Sequence, residues 1–191
     1  STGNCCSIQP KNVIAIGTKV SLSPLNKKDA AAFVPWVNDP EVIRTLAIGT
    51  QTLDVRAEEV FIEKTNASAH DEVFGIVVKA TDQLIGSTGL DQIDFRNRRA
   101  NFGIMIGEKS EWGKGYGTEA TALVVQYAFA VLDLNRVQLF VYEYNPYAIR
   151  AYEKVGFQSE GLLRQDHFSA GRHWDTIVMA IVRDEWEKRD D

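Results

Sequence analysis

The stretch Trp112-Gly113-Lys114-Gly115-Tyr116-Gly117-Thr118-Glu119-Ala120 carries the residue types and spacing that point most directly to chemistry. Glycines at alternate positions let the backbone turn tightly, and an anion can then approach the N–H groups without meeting a Cβ. Behind them Ala120, Leu123, Val124, Tyr127, Ala128 and Val131 recur at helical spacing. That period predicts a helix with one buried face and its N-terminus at the glycines. Free N–H groups and a partial positive charge of about +0.5 at such an end favour a phosphate or pyrophosphate.

Other glycine motifs fit less well. A dinucleotide-binding GxGxxG from Gly113 would need glycine where Thr118 stands, and a Walker A loop needs Ser or Thr after Gly113-Lys114, where Gly115 stands. A plain strand-to-helix turn is the bland alternative, disfavoured by the number of N–H donors that converge.

The elements that must position this loop follow from pattern. A chain of 191 residues, 45% hydrophobic, suits one domain with a substantial core. Residues 1–16 read as a polar leader expected to be poorly ordered, 17–183 as the domain, and 184–191 as a charged tail. Lys19–Leu25 alternates as a first strand, and Asn26 caps a helix from Lys27 to about Trp36. Asp39-Pro40 breaks it, and a short helix follows from Glu41 to about Leu46. After a Gly49-Thr50 turn comes a helix from Asp54 to about Asn66, with Ala57, Val60, Phe61 and Lys64 in sequence along it.

Three strands in a meander come next: Glu72–Ala80, Leu84–Ile93 and Ala100–Gly107. Gly103 inside the last suggests a bulge or a close backbone approach. Gly103 and Gly107 together fit a strand that splays from its neighbour and leaves free N–H and C=O groups. The arginines of the Asp94–Arg99 turn read as a solvated hairpin tip rather than an anion site. After the long helix, Arg136–Tyr142 is a β-branched and aromatic strand. Asn145 then caps a helix, Pro146 takes its first position, and Gly156 supplies a left-handed exit. Phe157–Phe168 and Trp174–Val182 form a final hairpin, and the chain from Arg183 is expected to fray.

Gly-Lys-Gly-Tyr-Gly-Thr-Glu-Ala, its helix, a second strand, and then Asn145-Pro146 with Tyr152-Glu153-Lys154-Val155-Gly156-Phe157 resemble the acetyl-CoA-binding half of the GNAT N-acetyltransferases. The likeness spans about residues 18–183 and is greatest to the branch of ribosomal-protein N-terminal and spermidine acetyltransferases. It implies an α/β (α+β) fold with a mixed, mostly antiparallel sheet of six to seven strands, splayed between strands four and five. It also implies acetyl-CoA as co-substrate, with no metal needed. Met105 and Ile106 would pair with the pantetheine amides. Trp112, Gly113, Lys114, Gly115, Tyr116, Gly117 and Thr118 would cradle the pyrophosphate, with Asn145, Arg150 and Tyr152 as further cofactor contacts. The family pattern has Gln or Arg where Trp112 stands, which puts one side-chain contact in question.

The resemblance makes Tyr152 the donor to the departing thiolate, against the plain reading that it packs with Ala148 and Val155. An N–H from Met105 or Ile106 would polarise the thioester carbonyl. Glu108 and Glu143, at the carboxyl ends of the strands bordering the opening, are the candidate bases, against the plain reading of surface carboxylates. His167 and His173 read as rim residues. Three histidines, with Cys5 and Cys6 adjacent in the leader, match neither a zinc site nor a disulfide framework.

Net charge of −5 gives no support for nucleic-acid binding and suits a cationic acceptor. No run of about 18 apolar residues and no signal-peptide order is present, so the expectation is a cytoplasmic protein without a membrane partner; a homodimer is an admissible assembly. Deprotonating an alkylamine of pKa about 10.4 at pH 7 costs roughly 4 to 5 kcal/mol, against about 1 for an α-amine near 7.8. This favours a peptide or protein N-terminal α-amine as acceptor, with a polyamine or aminoglycoside as the alternative. A catalytically silent acyl-CoA-binding module is the rival from another class.

Overall fold

The protein is described from a computed structural model covering residues 14–47 and 52–189. Cys5, Cys6 and the Gly49-Thr50 turn lie outside the described residues.

The chain opens with β1 (Ala15–Ile16) and β2 (Val20–Pro24), paired antiparallel. A 3-10 turn, Lys27–Asp29, leads into α1 (Ala30–Val37), and its capping box is reciprocal: the Asn26 side chain accepts from Lys28 N at 3.0 Å, and Asp29 accepts from Asn26 N at 2.8 Å. α2 (Pro40–Ile43) starts on an Asp39 cap, and α3 (Val55–Asn66) on Asp54, which accepts from Ala57 N at 2.8 Å. α3 buries Glu58 and Ile62, while Val60 and Phe61 are about half exposed. Ile62 joins Leu25, Ala30, Phe33 and Trp36 in a small core under α1.

The sheet adds β3 (Glu72–Val78), β4 (Gln83–Asp94), β5 (Arg99–Ile106), β6 (Arg136–Tyr142), β7 (Gln158–Ser169) and β8 (Arg172–Val182). Its eight strands run in the order β1-β2-β3-β4-β5-β6-β8-β7. That is one strand beyond the upper expectation. The addition is β1, formed by residues assigned to the leader: Ile14 N donates to Leu22 O at 2.9 Å and Gly17 N to Val20 O at 2.8 Å. The far boundary shifts too. Arg183 begins α6 (Arg183–Glu187) instead of fraying, because its guanidinium donates to the carbonyls of Phe129 and Leu134 and to Asp133.

All pairings are antiparallel except β5 with β6, which are parallel and joined by the crossover helix α4 (Tyr116–Ala130). These two strands pair only from Arg99↔Arg136 to Asn101↔Gln138. Beyond that point β5 stays with β4 as far as Ile106↔Gly86, and β6 stays with β8 as far as Tyr142↔Thr176. The sheet opens between them, and Gln138 Nε2 donating to Asn101 Oδ1 at 2.8 Å closes the apex.

Gly103 is not the bulge. It pairs with Gly89, and the irregularity lies across the ladder between Asp91 and Asp94, where Gln92 takes φ 50°. Gly107 has the close approach, since a Cβ there would overlap the Trp36 ring. α4 buries Ala120, Val124, Val125 and Ala128 against the sheet, and Tyr127 meets Phe74 edge-on with centroids 5.2 Å apart. Each large apolar side chain so buried contributes about 1.5 to 3 kcal/mol. This core holds the N-terminus of α4 at the mouth of the opening.

Candidate active site

A cleft of about 970 Å³ runs through the opening in the sheet. On one wall is the glycine loop. Gly113 and Gly115 take φ of 75° and 83°, a region that glycine enters without strain, and Gly115 is the N-cap of α4. No N–H from Gly113 to Thr118 finds an acceptor among the described residues, so the loop presents a run of free donors. Trp112, Gly113, Gly115, Tyr116, Gly117 and Thr118 all line the cleft. Lys114 does not; its ammonium pairs with Glu111 at 3.0 Å.

Trp112 braces the loop. Its indole N–H donates to Ile106 O at 2.8 Å, tying the start of the loop to the end of β5. Gly86 of β4 backs onto the Met105 carbonyl, and Gly107 N donates to Ile85 O at 2.8 Å. By strand alternation the polar groups of Met105 face β4, and those of Ile104 and Ile106 face the opening. Of the two expected backbone donors, Ile106 is therefore the one turned toward a ligand. Met105 lines the cleft but keeps its amide in the sheet.

The opposite wall is α5 (Pro146–Val155). The Asn145 side chain caps it by accepting from Ala148 N at 3.3 Å, and Gly156 ends it at φ 111°. Asn145, Arg150 and Tyr152 all line the cleft. The Arg150 guanidinium lies over the exposed Tyr147 ring, 4.9 Å from its centroid. The Tyr152 ring packs edge-on against Phe102 at 6.0 Å and tilted against Phe157 at 5.9 Å. Its hydroxyl forms no hydrogen bond within the described residues, and burial pushes its pKa up to about 12. A neutral phenol thus lines the same cleft as the free N–H groups of the glycine loop.

The two expected bases are placed elsewhere. Glu108 accepts from Ser110 Oγ at 2.9 Å, and Glu143 accepts from Asp175 N at 2.9 Å. Neither lines the cleft, because each strand-end carboxylate is drawn to the nearest unpaired donor of the following turn or the neighbouring strand. Glu41, Arg44 and Tyr144 also line the cleft and were not among the site residues expected from the sequence. Tyr144 Oη donates to Arg44 O at 2.7 Å and so joins the C-terminus of α2 to the turn after β6. A tyrosine directly before the Asn145-Pro146 cap was the available signal. His167 stacks on Tyr142 with ring centroids 3.9 Å apart and lies outside the lining.

A free-donor glycine loop, a splayed parallel pair and a neutral tyrosine on the facing helix together match what binding and cleaving a phosphate-bearing thioester requires. A family profile described as an acetyltransferase (GNAT) domain matches residues 19–158. The chain belongs to the GNAT acetyltransferases. The spermidine N(1)-acetyltransferase of Escherichia coli K12 is 36% identical over 167 residues, covering 87% of this chain and 88% of that protein. An uncharacterized N-acetyltransferase, p20 of Bacillus licheniformis, is 32% identical over 171 residues, covering 88% and 95%. In fold, spermidine N-acetyltransferase from Vibrio cholerae, solved with CoA and spermine, superposes with a TM-score of 0.83 at 24% identity, covering 90% of this chain and 99% of that one.

As a GNAT member the protein is an acetyl-CoA-dependent N-acetyltransferase, which removes the silent-module rival. The free N–H groups of the glycine loop fit a pyrophosphate, and the outward groups of Ile104 and Ile106 fit an amide-bearing arm. No helix among the described residues is long and apolar enough to cross a membrane.

Proposed function

We propose that this GNAT enzyme acetylates a primary amine of the polyamine class by direct attack on acetyl-CoA. The 36% identical spermidine acetyltransferase, matched over 87% of the chain, carries this reading, and it ranks the polyamine ahead of the α-amine that deprotonation cost favoured. The net charge of −5 suits a polycation. In this reading the glycine loop holds the pyrophosphate, the Ile106 N–H polarises the thioester carbonyl, and Tyr152 donates to the sulfur as the C–S bond breaks. The amine nitrogen forms the new C–N bond and releases its proton to water in the open cleft, since no carboxylate of the expected pair reaches it.

An observation favours the α-amine as second reading. The cleft carboxylates Glu41 and Glu111 each pair with a lysine at 3.0 Å and Arg44 also lines the cleft, so among the described residues a second cationic centre finds no unpaired carboxylate in the lining.

A thiol-release screen of spermidine, spermine and free-N-terminus peptides tests the choice, with the pH profile as a second readout. For a polyamine, kcat/KM should rise about tenfold per pH unit until near 10, the alkylamine range. Tyr152, whose burial pushes its pKa up to about 12, imposes no falling limb below the alkylamine range. Preference for peptides, with a plateau above about pH 8, would replace the polyamine by the α-amine.

A further inference from the structure

Glu119 sits in the first turn of α4, but its carboxylate points away from the cleft. It accepts from three successive backbone N–H groups of the turn before β2: Thr18 at 3.0 Å, Lys19 at 2.8 Å and Val20 at 2.7 Å. A Cβ on Gly17 would stand 2.6 Å from Glu119 Oε2, so any larger residue there would have to displace the carboxylate. A second tie runs in the reverse sense, with Lys19 Nζ donating to Lys114 O at 3.2 Å. One tie therefore holds the glycine loop before Gly115, and the other holds the helix just after Gly117.

We propose that Glu119 is a positioning residue for acetyl-CoA, fixing the glycine loop against the Gly17–Val20 turn so that its N–H groups already converge when the cofactor arrives. The proposal rests on reading the glycine loop as the cofactor cradle. Two left-handed glycines within three residues give that loop little stiffness of its own. Untied, it would spend part of its time in other conformers, and apparent affinity falls in proportion to the competent fraction. The same bonds answer an electrostatic difficulty. A bare carboxylate one turn from a pyrophosphate would repel it, whereas three charge-assisted bonds direct this charge toward the opposite side of the helix.

The two accounts of Glu119 predict opposite signs. If it acts only through its charge, Glu119→Gln removes repulsion and tightens acetyl-CoA binding. If it positions the loop, the amide turns an N–H₂ toward backbone donors, and Kd by calorimetry should rise about tenfold, with kcat at saturating acetyl-CoA retained. Gly17→Ala attacks the tie from the other side without touching α4 and should give a similar rise. Because both break one interaction, the double variant should be no weaker than the worse single one. Should Glu119→Gln fail to fold, Gly17→Ala alone decides. Unchanged or tighter binding in the folded variants, with only Tm lowered, overturns the proposal. Gly115→Glu, which puts a carboxylate and a strained φ into the loop, separates the layers. If it abolishes binding while the tie variants bind normally, positioning alone has failed; if it binds normally, the cradle has failed and this proposal with it.

Discussion

Replacing Tyr152 with Phe deletes one hydroxyl and keeps the ring that packs against Phe102 and Phe157. Burial raises the phenol to about 12, while an alkyl thiol sits near 8.5, so complete proton transfer to the departing sulfur is uphill by about 5 kcal/mol. What the hydroxyl offers is a hydrogen bond to sulfur as negative charge develops. A bond to a charged group is worth about 1.5 to 3 kcal/mol, which corresponds to roughly a 10- to 150-fold loss of kcat in Tyr152→Phe. Because the hydroxyl has no protein partner among the described residues, its removal strands no buried group, and Tm should hold. Steady-state thiol release with the best acceptor measures kcat, and calorimetry measures acetyl-CoA Kd. Turnover unchanged within about twofold would refute the donor role, as would a fall in Kd-measured affinity and Tm together, which marks a packing residue.

Tyr144→Phe should raise KM for the amine several-fold, about what one neutral hydrogen bond is worth, and leave acetyl-CoA Kd alone, since it frees the α2 end from the turn after β6; an unaltered KM would show that this contact does not shape amine binding. Glu58 is buried, and desolvation raises its carboxyl above the usual range. A raised folded pKa means stability is fully present below the unfolded value and is lost as pH rises through the folded one. Glu58→Gln should therefore raise Tm at pH 7, and the gain should vanish below about pH 4, under the ordinary glutamate value; a gain that is independent of pH would show that charge burial is not its cause.

The local signals were legible because each is a short-range event. The glycine loop, the start of the helix behind it, the Asn145-Pro146 cap and the Gly156 exit all depend on backbone freedom and side-chain reach within a few residues, and they appear where their residue types put them. The helix's far end does not follow its period: Val131 lies past the last turn and is 64% exposed, while Thr121, Val125 and Phe129 are buried beside the expected stripe. Strand periods and turns gave the meander, and the motif order gave the family and its splayed sheet. What only tertiary structure decided was where long side chains and backbone groups turn. Met105 and Ile106 differ by one residue, yet pairing with β4 consumes the amide of one and leaves the other facing the cleft. Glu108 and Glu143 stand at the strand ends as expected, but Ser110 and Asp175 supply nearer donors than the cleft does. α3 buries Ile62 in the Phe33 and Trp36 pocket, a partner about thirty residues away that no local period reveals. β1 exists because β2 has an edge to offer. Glu119 reads in sequence as a first-turn acid suited to a helix dipole, and only the fold brings the Thr18–Val20 donors, a hundred residues distant, within 3.0 Å of it.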